Sequence, residues 1–230
     1  MSNFLSEQER LKAEKQDFFV NASHELNTPL SSIIGYTEII KAEKKYIPEF
    51  IDTILNQAQR MKELLSDMMG LAALDAGKGF EDGPCELHVV AAEVIATFMP
   101  KAEGKNITLT TDFDSVEIVA DRGKITELLG NLIDNAIKYT DRGGEVFTTI
   151  KKLDGGVKIS VKDNGQGIAQ AHIPRIFERF YRTDKGRARA EGGTGLGLAI
   201  VKHICNHYNA PIEVKSKEGV GTEIIITLKI

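Results

Sequence analysis

Apolar residues in the first third of the chain recur at helical spacing. Ile47, Ile51, Ile54, Ala58, Met61, Leu65, Met68 and Ala72 alternate by four and three, a heptad stripe on one helix face. Phe19, Ala22, Leu26, Ile33, Tyr36 and Ile40 form a similar stripe on an earlier helix with Pro29 inside it, and the polar run from Lys41 to Pro48 is where the chain should turn. Two such helices cannot bury a core alone. The economical solution is an all-α hairpin that dimerises into a four-helix bundle, as a parallel homodimer. Phe4, Leu11 and Phe18 continue the pattern upstream, so residues 1–17 are expected to be the end of an incoming signalling helix and the chain to be a fragment of a longer protein.

Near Gly77 the pattern changes, and most of the glycines lie beyond it. Leu87 to Ala102 reads as a helix, and Ile107 to Thr111 and Glu117 to Ala120 as short strands. Asp121 to Tyr139 is a long amphipathic helix with Asp121 as N-cap and Ile125, Leu128, Leu129, Leu132, Ile133 and Ala136 on its apolar face. Glu145 to Leu153 and Val157 to Asp163 form a hairpin around Asp154-Gly155-Gly156. Thr194 to Tyr208 is helical, and Val214 to Ser216 and Glu223 to Ile230 close the domain as strands. The chain therefore divides into an α-helical hairpin, 1–77, and an α+β sandwich, 78–230. Lys185 to Gly193 looks like a mobile loop.

Composition removes several function classes. The 230 residues are 42% hydrophobic and 27% charged, and 29 basic against 33 acidic residues give a net charge of −4, no general attraction for nucleic acid or anionic lipid. No run of about 18 apolar residues exists to span a bilayer, and the N-terminus is charged rather than signal-like. Cys85 and Cys205 have no CxxC spacing, which fits thiols in a reducing cytosol. A cytoplasmic location without direct membrane contact is expected, whether or not the parent protein is membrane-anchored.

Four segments could carry chemistry. In FFVNASHELNTPL, His24 lies about 200° round the helix from the apolar Ala22 and points outward, with Thr28 one turn later on the same face and Glu25 beside the imidazole. Pro29 removes the amide that would bond the Glu25 carbonyl, so the helix should bend beyond the histidine. A lone histidine of this kind is more often solvated surface, and Thr28 stands where HExxH would need a second zinc ligand. In NLIDNAIKYT, Asn131 and Asn135 share a helix face and offer neutral oxygens to hydrated Mg²⁺, with Lys138 in reach of phosphate. Asp163 ends a strand before Asn164-Gly165-Gln166-Gly167, where a planar ring could approach the backbone and a carboxylate could accept from an exocyclic amine, as adenine requires. Gly193-Thr194-Gly195-Leu196-Gly197 opens a helix and offers amides and a positive dipole end to phosphate. Each is weak singly, since glycine clusters usually mean turns; in this order they are strong. No GK pair is followed by Ser or Thr, so there is no P-loop, and Leu198 stands where a dinucleotide fingerprint needs glycine. His203 and His207, around Cys205, read as a partly exposed helix face rather than a metal site, and Phe177 as a core aromatic.

These segments resemble the cytoplasmic core of two-component sensor histidine kinases, from about Asp17 to Ile230. FVNASHELNTPL is similar to the phosphoacceptor motif, and NLIDNAIKYT, DNGQGI, RIFERFYR and GTGLGL to the motifs of the ATP-binding domain. The resemblance implies a dimerisation and phosphotransfer hairpin followed by a Bergerat-type ATP-binding domain using ATP and Mg²⁺. It implies that His24 accepts the γ-phosphoryl group, that Glu25 orients or deprotonates the imidazole, and that Thr28 serves a phosphatase step. Asn135 would ligand Mg²⁺ with Asn131 supporting. Lys138, Tyr139, Asp163, Gly165, Gly167, Ile168, Tyr181, Arg182, Thr194, Gly195, Leu196, Gly197 and Leu198 would contact nucleotide. The partners implied are a second copy of the chain and a response regulator receiver domain. Asn131 replaces the water-activating Glu of related ATPases, which disfavours a hydrolase; a nucleotide-binding scaffold is the non-catalytic alternative. Asn27, the LAALDAG end of the second helix and Asn209-Ala210 depart from the family pattern.

Overall fold

The computed structural model describes residues 2–43, 47–75, 79–183 and 193–229, with side chains from Gln16 onward except that of Glu43. Residues 44–46 of the turn expected from Lys41 to Pro48 and most of the loop at 185–193 lie outside the described residues, as do the side chains of Phe4 and Leu11; residues 41–43 still belong to the first helix.

Two long helices, α1 (Ser2–Glu43) and α2 (Pro48–Asp75), form the hairpin. Helix α1 runs through Pro29, which is buried, and the Thr28 hydroxyl donates to the His24 carbonyl at 3.2 Å just before it. The heptad stripe of α2 is only partly turned inward. Ile54, Met61 and Met68 are half-buried, Ile51, Ala58 and Leu65 are exposed, and the fully inward residues are Leu64, Leu71 and Leu74. A helix packed along part of its circumference covers that part of its apolar arc and leaves the rest open to another partner.

The second unit runs β1 (Gly83–Glu86), α3 (Leu87–Gly104), β2 (Thr108–Phe113), β3 (Glu117–Ala120), α4 (Arg122–Tyr139), β4 (Glu145–Leu153), β5 (Gly156–Asp163), a 3-10 turn (Ile173–Arg175), α5 (Gly197–His207), β6 (Ile212–Lys217) and β7 (Gly221–Lys229). Five strands form a sheet in the order β2-β4-β5-β7-β6, antiparallel except for β2 and β4. Strands β1 and β3 form a separate antiparallel pair. Leu128, Leu129, Leu132, Ile133 and Ile137 of α4 are buried against Ile150, Ile159 and Ile226 of the sheet and Ile200 and Ile204 of α5. Leu64, Leu71 and Leu74 of the hairpin belong to the same apolar cluster.

Asp121 caps α4 as its residue type suggests, its carboxylate accepting from the Lys124 amide at 2.9 Å. Gly155 turns the β4–β5 hairpin at φ +75°. Strand β1 has no counterpart in the sequence reading, because four residues containing Pro84 give no alternating pattern. Helix α5 starts at Gly197 rather than Thr194: Gly195 holds φ +72°, outside the helical region, and Thr194 Oγ1 accepts from the Leu196 amide at 3.2 Å.

Candidate functional site

The glycine segments assemble around the C-terminal end of α4. Asp163, at the end of β5, accepts through Oδ1 from the Gly165 amide at 2.9 Å and the Thr222 amide at 3.2 Å. Burial raises its carboxyl pKa above the ordinary range, and those two amides oppose the rise. The chain then crosses the end of α4 so closely that a β-carbon at Gly165 would collide with the Tyr139 carbonyl, while the Gln166 amide donates to that same oxygen at 3.1 Å. Gly167, at φ +66°, passes against the Lys217 carbonyl, and the Ile168 amide donates to Ser216 Oγ at 2.8 Å. Asn135 and Tyr139 of α4, Asp163, Gly167, Ile168, Tyr181, Arg182 and Leu198 line one pocket together.

The other expected contacts sit at its margin. Asn131 donates through Nδ2 to the Glu127 carbonyl at 2.9 Å, which leaves Oδ1 facing Gly197, where a β-carbon would strike it. Lys138 is buried, and its ammonium occupies the space a side chain at Gly193 would need, 5.4 Å from the centre of the Tyr139 ring. Gly195 meets the backbone of Phe180, whose amide donates to the Gly195 carbonyl at 2.9 Å. Leu196 departs from expectation: its side chain is fully buried in the core, so only its backbone is available to a ligand.

A second cavity, about 1180 Å³, separates α1 from this domain. His24, Glu25 and Thr28 form one side, and Phe177, Phe180, Tyr181 and Arg182 belong to the other. His24 and Thr28 are exposed, as their place opposite Ala22 requires. Glu25 pairs with Arg60 of α2 at 3.5 Å and with Arg182 at 3.7 Å. Phe177 is half-buried and lines this cleft, correcting its reading as a core residue; the core position is its neighbour Ile176. Phe180 packs against Phe18 of α1 with ring centres 5.6 Å apart and the planes tilted by 40°. Tyr181 and Arg182 line both cavities and so form their common wall.

Residues 14–77 match the His Kinase A (phospho-acceptor) domain, and residues 120–230 match the histidine kinase-, DNA gyrase B- and HSP90-like ATPase domain. The chain belongs to the sensor histidine kinases. Over 228 residues this histidine kinase core is 32% identical to the sensor-like histidine kinase SenX3 of Mycolicibacterium smegmatis, covering 97% of the chain and 59% of SenX3. Over 215 residues it is 38% identical to the sensor histidine kinase YkoH of Bacillus subtilis, covering 92% of the chain and 47% of YkoH. The chain thus spans about half the length of these curated relatives. Full-length ShkA in complex with AMPPNP superposes with a TM-score of 0.66 at 28% identity, over 92% of this chain and 45% of that one. The histidine kinase ThkA in complex with the response regulator protein TrrA has the same fold, with a TM-score of 0.76 at 24% identity over 100% of this chain and 67% of that one.

Several contacts of the kinase core carry no sequence signal. The Thr194 hydroxyl donates to Asp67 of α2 at 2.8 Å, and burial raises the Asp67 carboxyl pKa against that bond, with Glu127, Glu63 and Asp134 adding to the rise. Arg179 donates to Asp75 at 2.6 Å, and His203 Nε2 lies 3.1 Å from both. Burial holds His203 below the usual histidine range against the raising pull of Asp75. His207 stacks on Phe80 with ring centres 3.5 Å apart. Among the described residues no cluster of three or more His, Cys, Asp or Glu side chains is arranged to hold a metal ion. The oxygens that would face Mg²⁺ are the neutral carboxamides of Asn131 and Asn135, a donor set that suits a hard cation whose remaining ligands are phosphate and water. No helix among the described residues is long and apolar enough to cross a membrane.

Proposed function

We propose that this chain is the ATP-dependent protein-histidine kinase core of a longer sensor, divided into a hairpin (1–77) and an ATP-binding domain (78–230). The supporting observation is the common wall of Tyr181 and Arg182 between the Asp163 pocket and the His24 cleft. Adenine is held with its amine toward Asp163. Lys138, Thr194 and the backbone of 193–197 face the phosphates, where the positive end of α5 adds to the attraction. Mg²⁺, held by Asn135 with Asn131 in support, neutralises charge on the phosphates when bound.

The neutral His24 imidazole attacks the γ-phosphorus through Nε2, the bond to the bridging oxygen breaks, and ADP leaves with that electron pair. Glu25 orients the other ring nitrogen and takes its proton, which requires it to exchange its ion pairs with Arg60 and Arg182 for the imidazole. Phosphoryl transfer asks little covalent help from the protein, so these groups act by position and charge. The phosphoryl group then passes to an aspartate of a response regulator receiver domain, and Thr28 on the same face serves dephosphorylation of that regulator. Phe19, Leu55 and Met69, exposed by 59%, 66% and 74%, give the hairpin an apolar face for a second copy in a four-helix homodimer. The core works in the cytoplasm.

The test is incubation with γ-labelled ATP and Mg²⁺, followed by addition of a receiver domain. Acid-labile, alkali-stable label that moves to the receiver is expected. ATP binding without label indicates a scaffold, and steady phosphate release without labelled protein indicates a hydrolase.

A further inference from the structure

We infer that His172, outside every segment that resembles a family motif, is a positioning residue for the nucleotide, acting through Tyr181. This rests on the reading of the Asp163 pocket as a nucleotide site. His172 Nδ1 lies 2.6 Å from the Tyr181 hydroxyl, and the Arg175 guanidinium sits over the Tyr181 ring, 4.2 Å from its centre. Arg175 is itself held by Glu178 through contacts of 3.1 and 3.3 Å. The Tyr181 ring is thus fixed at its hydroxyl and on one face by a short stretch of chain folded on itself.

The backbone explains why a clamp is needed. The His172 amide donates to Ala169, Arg175 to His172, Glu178 to Arg175 and Tyr181 to Glu178, a run of tight turns that delivers all four side chains to one place. Phe180, immediately before Tyr181, holds φ +61°, a conformation that an L residue keeps only when its surroundings impose it. Its amide is tied to the Gly195 carbonyl in the phosphate loop. Movement of Tyr181 therefore disturbs the pocket wall and the neighbouring phosphate loop together. The hydrogen bond between the imidazole and the Tyr181 hydroxyl fixes the ring at the edge of the pocket.

The experiment uses the whole chain and measures the Kd of a fluorescent ATP analogue and autophosphorylation over a range of ATP concentrations, for wild type, His172→Ala, Tyr181→Phe, the double variant and His172→Asn. Loss of one net hydrogen bond weakens binding roughly two- to tenfold. We expect His172→Ala to raise Kd and KM by that factor with kcat within about twofold, Tyr181→Phe to match it, and the double variant to add nothing further. Asn places a polar atom where Nδ1 stood, so His172→Asn should restore most of the affinity; it also carries the test if the alanine variant does not fold. Unchanged Kd in His172→Ala, additive losses in the double variant, or a fall in kcat at constant KM would overturn the inference. A wild-type chain that binds no nucleotide would instead refute the reading on which it rests.

Discussion

Changing Asp163 to Asn separates binding from stability. In the folded chain the Asp163 carboxylate spends Oδ1 on the amides of Gly165 and Thr222 and turns its remaining capacity to the pocket. Burial raises its pKa, so the folded state holds a proton at this site more tightly than the unfolded chain does. The stabilisation from that proton is complete below the unfolded value of about 3.8 and is lost as pH rises through the folded value. At neutral pH the ionised group therefore weakens the empty fold. Asparagine keeps an oxygen for both amides and carries no charge, so the nucleotide-free melting temperature at pH 7 should be equal to or above that of wild type. The gain of the variant over wild type should shrink as the pH is lowered toward the range where Asp163 protonates. Binding moves the other way. The adenine amine loses a charged acceptor, worth about 1.5–3 kcal/mol, and meets an amide donor, so ATP affinity should fall roughly 10- to 150-fold or more. Differential scanning fluorimetry without nucleotide and calorimetric titration with ATP read the two effects. A melting temperature well below wild type, or ATP affinity within twofold of it, would rule out this role for Asp163.

Asp121→Ala should cost about 1 kcal/mol in urea denaturation at pH 7 through loss of the α4 cap. Burial raises the Asp121 pKa, but the amides of Glu81, Lys124 and Gly123 outweigh it and lower it overall, so the cost of the substitution should shrink as the pH falls from about 4 through the depressed value. Gly167→Ala combines φ +66° with a β-carbon driven into the Lys217 carbonyl and should lose about 2 kcal/mol or more in the same assay. Asp67→Ala frees the Thr194 hydroxyl for phosphate and should raise ATP affinity roughly two- to tenfold by calorimetry; equal or weaker affinity would contradict that role.

The sequence carried the local structure well wherever pattern and punctuation agreed. Helix α4 has both an amphipathic face and a capping aspartate, and the β4–β5 hairpin has two alternating runs around Gly155, so both were legible. Strand β1 was not, because it exists by pairing with β3 rather than by any property of GPCE. The pocket was legible because its residues fall in segments whose glycines serve close approaches, at Gly165, Gly167 and Gly195. Contacts between the hairpin and the ATP-binding domain were hidden. Asp67 and Thr194 are 127 residues apart, and Asp75 and Arg179 look like solvated charges until the fold places them. His172 was silent for the same reason, since its partner is nine residues away across a run of turns rather than one helical turn along.

Passage of the γ-phosphoryl group of ATP to His24 is open to tandem mass spectrometry of the chain after incubation with ATP and Mg²⁺, kept at neutral to alkaline pH. Phosphate is expected on the imidazole of His24 and none anywhere in His24→Gln, with ATP binding by that variant retained. Phosphate on Ser23 or Thr28, or a His24→Gln chain that labels as wild type does, would contradict it.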